Sequence, residues 1–284
     1  MEIMHRIKML TVMAVNETGR TLRSSKIYIL GLYLIVVYSL VIEPLKNCSG
    51  LMDSKISYLE IFCSLNNSSV VFLVMPLAFM IIISDFPKDD GIGVFYQMRC
   101  SRSEWITGQL FFCIIVSILM IFFNLMASIV MIGSCGEFSV DFSYAVTHYV
   151  TVYPEKSRDY VVDLVPGRLY NQLKLTKAFW LSAGFVFLYF LILSTIQLFF
   201  YLINKKNIGI LINVMLIGVG CILNSFETKL RWLFPMSHTI PSAHFQEYIR
   251  EEIFPIYGSL LYLGAMYVLL IVACFAVRKK KQLF

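Results

Sequence analysis

Charged residues fall along this chain in clusters. Between the clusters run six uncharged stretches, residues 27–42, 61–84, 105–136, 178–204, 207–226 and 253–277, of 16, 24, 32, 27, 20 and 25 residues. A hydrocarbon core about 30 Å thick needs roughly 20 helical residues at about 1.5 Å each. Five stretches meet that length, and the first reaches it once the stem of Lys26 extends to the headgroups. Each run is oily on every face, whereas the strands of a membrane barrel alternate polar and apolar positions. The pattern predicts an all-α integral membrane protein with six transmembrane helices over residues 27–277.

The polar intervals differ in kind. Residues 1–26 place Ile3, Ile7, Leu10 and Ala14 along one helical stripe with Met4 and Met13 beside it, and Gly19 ends the pattern. Such a face fits an amphipathic helix lying in the inner headgroup layer or a helix packed against its own protein. Twenty-six residues with internal charges precede the first span, and no small-residue cleavage pattern follows it. That span is therefore expected to remain as an anchor. Region 137–177, with "YPEKSRDY" and "VPGRLYNQ", predicts a small ordered cap or a loop. Region 227–252 holds "LRWLFPMSHTIPSAHF", too apolar for a solvated loop and too interrupted by Pro235 and Pro241 to span; it predicts a re-entrant or interfacial hairpin.

Composition agrees: 58% of the 284 residues are hydrophobic and 15% charged, with a mean hydropathy of +0.73. Charge sets the orientation. Residues 1–26, 85–104, 205–206 and the tail 278–284 carry fourteen Lys and Arg against six acids, while the other three intervals carry ten against twelve. Both termini are therefore expected in the cytoplasm. The basic balance follows from topology and gives no reason to invoke nucleic acid.

Seven cysteines show no CxxC spacing, so a structural zinc site is not expected. Cys48 and Cys63 share the first outer loop and form a candidate disulfide, and Asn66 opens an Asn-Asn-Ser glycosylation pattern. No ionisable residue lies centrally in any of the six stretches, which leaves no visible proton or ion relay. The intramembrane polar groups are Asn124, Gln197 and Asn213, which read as interhelical glue or, alternatively, as a substrate path. Pro76 is expected to kink the second helix. His238 and His244 look too isolated for a metal site, and the sequence holds no HExxH, GxSxG or GxxxxGK[ST]. No catalytic role is expected of this chain.

The most specific stretch is "SDFPKDDGIGVFYQMRCSRSEWITGQ", residues 84–109. A polar turn and Gly91 lead into a short helix that would expose Phe95, Tyr96 and Met98. "SRSE" then reads as a capping box, with Ser101 and Glu104 starting the third span and an acid at its positive end.

These residues resemble the permease subunits of ATP-binding-cassette transporters, of the type-2 exporter class. Members carry an acidic residue and Gly, a short hydrophobic helix, then Ser-Arg-x-Glu and Gly-Lys leading into the third span. Here these are Asp89, Asp90 and Gly91, the helix ending at Arg99, Ser101, Arg102 and Glu104, and Gly108 followed by Gln109. Gln109 departs from the usual Lys, and region 137–177 is longer than in compact members.

The resemblance implies that residues 91–102 form a cytoplasmic coupling helix docking on a separate ATPase. Phe95, Tyr96 and Met98 would be its anchors, and Arg99 and Arg102 would pair with partner acids. It also implies two ATPase subunits that carry ATP and Mg, no cofactor on this chain, a second permease copy or paralogue, and a bacterial plasma membrane. A hydrophobic or amphipathic substrate would move outward, with peptide export or peptide-antibiotic immunity ahead of drug or lipid. The alternative is a non-transport scaffold or sensor with ligand-binding outer loops.

Overall fold

In the computed structural model, residues 2–88, 91–246 and 251–277 are described. The expectations for Asp89, Asp90 and the tail 278–284 lie outside the described residues. The fold is all-α, and among the described residues five helical segments are long and apolar enough to cross a membrane, six if one sharply bent pair is a single span.

Helix α1 (Glu2–Leu22) opens the chain. It runs through Gly19 rather than ending there, and near its end Thr18 and Thr21 hydroxyls donate to the carbonyls of Ala14 and Glu17. One face of α1 packs against α7 (Arg102–Ile132). Met13 and Ala14 are buried, and the Met13 side chain lies over Gly108 so closely that a Cβ there would sit 1.6 Å from its Cε.

The first span is longer than the sequence pattern implies. A 28-residue segment, Ser25–Met52, comprises a 3-10 turn, α2 (Tyr28–Val37), a π turn (Tyr38–Ile42) and α3 (Glu43–Met52). Glu43 and Lys46 therefore do not end the helix. A proline ring clashes with the carbonyl four residues earlier, and the wider π turn just before Pro44 relieves that clash. Asp53, at φ 46°, finally turns the chain.

The second stretch is not one kinked helix. A two-residue strand β1 (Ile56–Ser57) pairs in parallel with β2 (Gly136–Glu137). Then α4 (Tyr58–Asn67) stops at an extended Ser68, and α5 (Ser69–Ile83) leaves at 87° to it. Helix α5 continues through Pro76 without interruption, and the sharp bend of the stretch lies eight residues earlier, at Ser68. Side-chain hydrogen bonds to the backbone, two local and one long-range, hold the break. Asn66 Nδ2 donates to Phe62 O at 2.9 Å and Asn67 Nδ2 to Cys63 O at 2.6 Å, while Asn67 Oδ1 accepts from Ser242 N at 2.9 Å. Asn66 is fully buried, which closes the glycosylation pattern to an enzyme.

Helix α6 (Gly91–Arg99) follows, then α7 (Arg102–Ile132), ended by Gly133 at φ +60°, a conformation that favours glycine. Four short helices, α8 (Tyr144–Thr147), α9 (Tyr149–Val152), α10 (Tyr160–Leu164) and α11 (Gly167–Tyr170), build a cap at one end of the bundle. Helix α12 (Leu175–Leu202) is the buried axis of the bundle, packed on by α4, α5, α7, α13 (Lys206–Ser225) and α15 (Ile256–Ala276). Aromatic pairs knit it to α5: Phe79 stacks on Phe190 at 4.2 Å and Phe72 on Tyr189 at 5.8 Å. Between α13 and α15 the apolar segment folds into short turns that include α14 (Pro235–His238), and Met236 seats against Gly220.

No disulfide joins any of the seven cysteines. Cys48 and Cys63 are both buried, and the Cys48 thiol approaches Ala145 O at 3.4 Å, so the expected disulfide does not form. Trp180 is exposed as an interfacial residue would be, but Trp105 is buried against Tyr201.

Candidate functional site

Helix α6 projects from the bundle between α5 and α7. Phe95 and Met98 are 47% and 64% exposed, and Gly91 is exposed at its start. Tyr96 faces the other way: it is half-buried, and its hydroxyl accepts from Asn16 Nδ2 at 2.7 Å, which ties α6 to α1. The exposed face expected of three side chains is therefore carried by two, with Tyr96 a strut. The Arg99 side chain lies outside the described residues; Arg102 is exposed.

The capping box forms as the sequence predicts. Ser101 N donates to Glu104 Oε2 at 2.9 Å and Glu104 N to Ser101 Oγ at 3.3 Å. The start of α7 is thus fixed directly after α6.

Sequence reading missed the set of side chains that clamp the loop before α6. Lys26, at the start of the first span, pairs with Asp85 at 2.7 Å and also donates to Ser84 Oγ. Lys206, at the start of α13, donates to the carbonyls of Asp85 and Pro87. Lys88 donates to Arg20 O at 2.9 Å, at the end of α1, where Arg20 pairs with Glu17 at 2.7 Å. One short loop is thereby bonded to α1, α2 and α13. The hydrogen bond and charge of Lys26 hold the Asp85 carboxyl below its usual range, whereas burial raises that of Glu17 against the pull of Arg20 and Lys88. The only sequence signal for this clamp was the Lys205-Lys206 pair, whose charge also served to set topology.

The three intramembrane amides do not converge. The Tyr33 hydroxyl donates to Asn124 Oδ1, and Asn124 Nδ2 donates to Met120 O, joining α7 to α2. Asn213 Nδ2 donates to Leu193 O at 2.9 Å and Gln197 Nε2 to Lys206 O at 3.4 Å, both joining α12 to α13. Each of these bonds joins two helices, the arrangement of interhelical glue.

Among the hollows along the described residues, two of opposite character bear on function. An apolar cleft of about 500 Å³ opens among α1, α2, α5 and α7, lined by residues such as Leu30, Leu34, Phe79, Ile82, Leu119 and Phe123. A polar cavity of about 290 Å³ lies where the α4/α5 break meets the cap and the hairpin, lined by Asn67, Asp163, Arg168, Asn224, Glu227 and Arg231. Arg168 pairs with Glu227 at 2.8 Å, which lowers the Glu227 pKa. Arg231 is buried and donates to Ala243 O at 3.2 Å. Among the described residues, no group of three or more His, Cys, Asp or Glu side chains could hold a metal ion.

No protein-family model matches this chain, and neither a curated protein nor a solved structure shows significant similarity to it.

Proposed function

We propose that this chain is the membrane-spanning permease subunit of an ATP-driven exporter, with six spans and both termini in the cytoplasm. A separate ATPase docks on α6, and its movements reach the bundle through the clamped loop. The observation that carries this reading is the pairing of an exposed apolar knob, Phe95 and Met98, with rigid fastening on both sides. The Lys26–Asp85 and Lys206 bonds hold the loop before it, and the Ser101–Glu104 box holds the helix after it. A knob that only dipped into headgroups would need no such fastening. The uncharged middle of the spans supports an external energy source, and the apolar cleft suits a hydrophobic or amphipathic substrate. Peptide export or immunity to a peptide antibiotic is the preferred task, with drug or lipid next, and two copies of the chain would meet two ATPase subunits in a bacterial plasma membrane.

The deciding experiment is affinity purification of the tagged chain from native membranes, followed by assay of copurifying ATP hydrolysis. Absence of an ATPase, together with transport by the chain alone in liposomes down an imposed pH or sodium gradient, would refute the reading. Orientation has its own check: an impermeant thiol reagent added to intact cells should spare Cys100 and label a Ser157→Cys variant. The opposite pattern would invert the topology.

The outer polar cavity favours one rival, a sensor whose outer surface binds a ligand. Such a protein would purify without nucleotide hydrolysis.

A further inference from the structure

The segment between α13 and α15 brings together two histidines that are six residues apart in sequence. His238 Nδ1 lies 2.8 Å from Ser259 Oγ, and His244 Nε2 lies 2.7 Å from the same oxygen. Their other ring nitrogens face carbonyls: His238 Nε2 is 2.8 Å from Trp232 O, and His244 Nδ1 is 3.0 Å from Ile240 O. The three side chains are almost wholly buried. The expectation that these histidines stand apart is thus overturned by tertiary packing, which centres both on one hydroxyl of α15.

Counting protons exposes a deficit. A carbonyl oxygen only accepts, so each ring must turn its N–H toward its carbonyl if that bond is to form. Both remaining nitrogens then present lone pairs to Ser259, whose hydroxyl has a single proton. Any neutral assignment leaves four contacts for three protons, and one contact sets lone pair against lone pair. One added proton completes the set: the charged ring donates to Ser259 Oγ, and Ser259 donates to the neutral ring. A second added proton would break it, because both rings would then donate to Ser259 and its own hydrogen would have no acceptor.

We propose that His238, Ser259 and His244 form a binding site for one added proton, shared between the two imidazoles through the serine hydroxyl. Aromatic faces surround it. Tyr262 stacks on His238 at 4.1 Å and Phe185 on His244 at 5.8 Å, while Trp232 meets both rings at 5.3 and 5.2 Å. Such faces favour a buried cation. Arg231 is the charge that bears on the pair, with Glu227 and Arg168 beyond it. Around them α15 contributes Tyr262 and α12 Phe185, and Phe254 meets both rings edge-on.

Burial opposes the charge and draws both imidazoles below their usual range, His244 to about 4. The site therefore fills between that value and the ordinary imidazole pKa of about 6.5. The sign for stability follows. Below about pH 6.5 the unfolded chain protonates both rings, while the folded cluster takes none and then one. The folding equilibrium thus weakens as pH falls, about hundredfold per pH unit where the site is empty and about tenfold once it is filled.

The test is histidine-labelled full-length protein in lipid nanodiscs, followed by nitrogen NMR from pH 8 to 4 with a chelator present. His238 and His244 should shift together in one transition worth one proton for the pair, with exposed His148 as a separate reference. Ser259→Ala should abolish the joint transition or lower it by more than about one pH unit, and Ser259→Thr, which keeps the hydroxyl, should restore it. The proposal fails if the rings titrate independently to two protons, if neither takes a proton above pH 4, or if Ser259→Ala leaves the curve unchanged. It fails also if uptake appears only when zinc is supplied. Should the alanine variant not assemble, the proton count of the wild type and the threonine variant decides.

Discussion

Replacing Phe95 and Met98 together with Asp is expected to strip the purified complex of ATP hydrolysis while leaving membrane insertion and monodispersity intact. Both side chains are exposed on α6, so replacing them leaves the buried core of the bundle in place. At an interface the balance reverses. A buried aromatic or methionine anchor is worth about 2 kcal/mol or more, roughly thirtyfold in affinity for each residue, and a carboxylate in its place adds a desolvation cost. Tyr96→Phe should behave differently, because it removes only the Asn16 bond and keeps the ring. Lys26→Met should leave docking in place but weaken the link between hydrolysis and transport, since it cuts the loop from α2 without altering α6. Copurification undiminished in the double Asp variant would end the docking assignment.

Glu60→Ala is expected to cost about 2 to 6 kcal/mol of folded stability, read as a large fall in the unfolding temperature in detergent. Glu60 is fully buried beside the start of α4. One carboxylate oxygen accepts from Ser57 N at 3.0 Å, closing a capping box, and the other accepts from Ser143 N. A single side chain thus joins the base of the broken helix pair to the cap. Alanine leaves two buried amides without an acceptor, at about 1 to 3 kcal/mol each. Glu60→Gln should fall between, because its amide offers one acceptor oxygen and turns a donor toward the second N–H. Wild-type stability in the alanine variant would show that the carboxylate does not hold the cap.

The candidate site was legible in part. Ser101-x-x-Glu104 and the short helix before it follow from neighbours three or four residues apart, and both form. Which side of that helix stays open could not be read locally, because Tyr96 is turned inward by Asn16, eighty residues away. The amides Asn124, Gln197 and Asn213 were visible as buried polar groups, but only their partners decide between glue and path.

By itself the sequence determined the solvent and the rods: uncharged runs of sufficient length give helices α7, α12, α13 and α15, since hydropathy and periodicity are properties of contiguous residues. Tertiary structure alone decided where the second stretch breaks and where the lone histidines go. Asn67 competes weakly for its own backbone, and the break gains a long-range partner when the distant Ser242 amide takes its free oxygen. His238 and His244 acquire their common proton acceptor and donor only when α15 lays Ser259 between them. In each case the deciding hydrogen bond joins residues far apart in sequence, and burial makes an unmet partner costly enough to choose the fold.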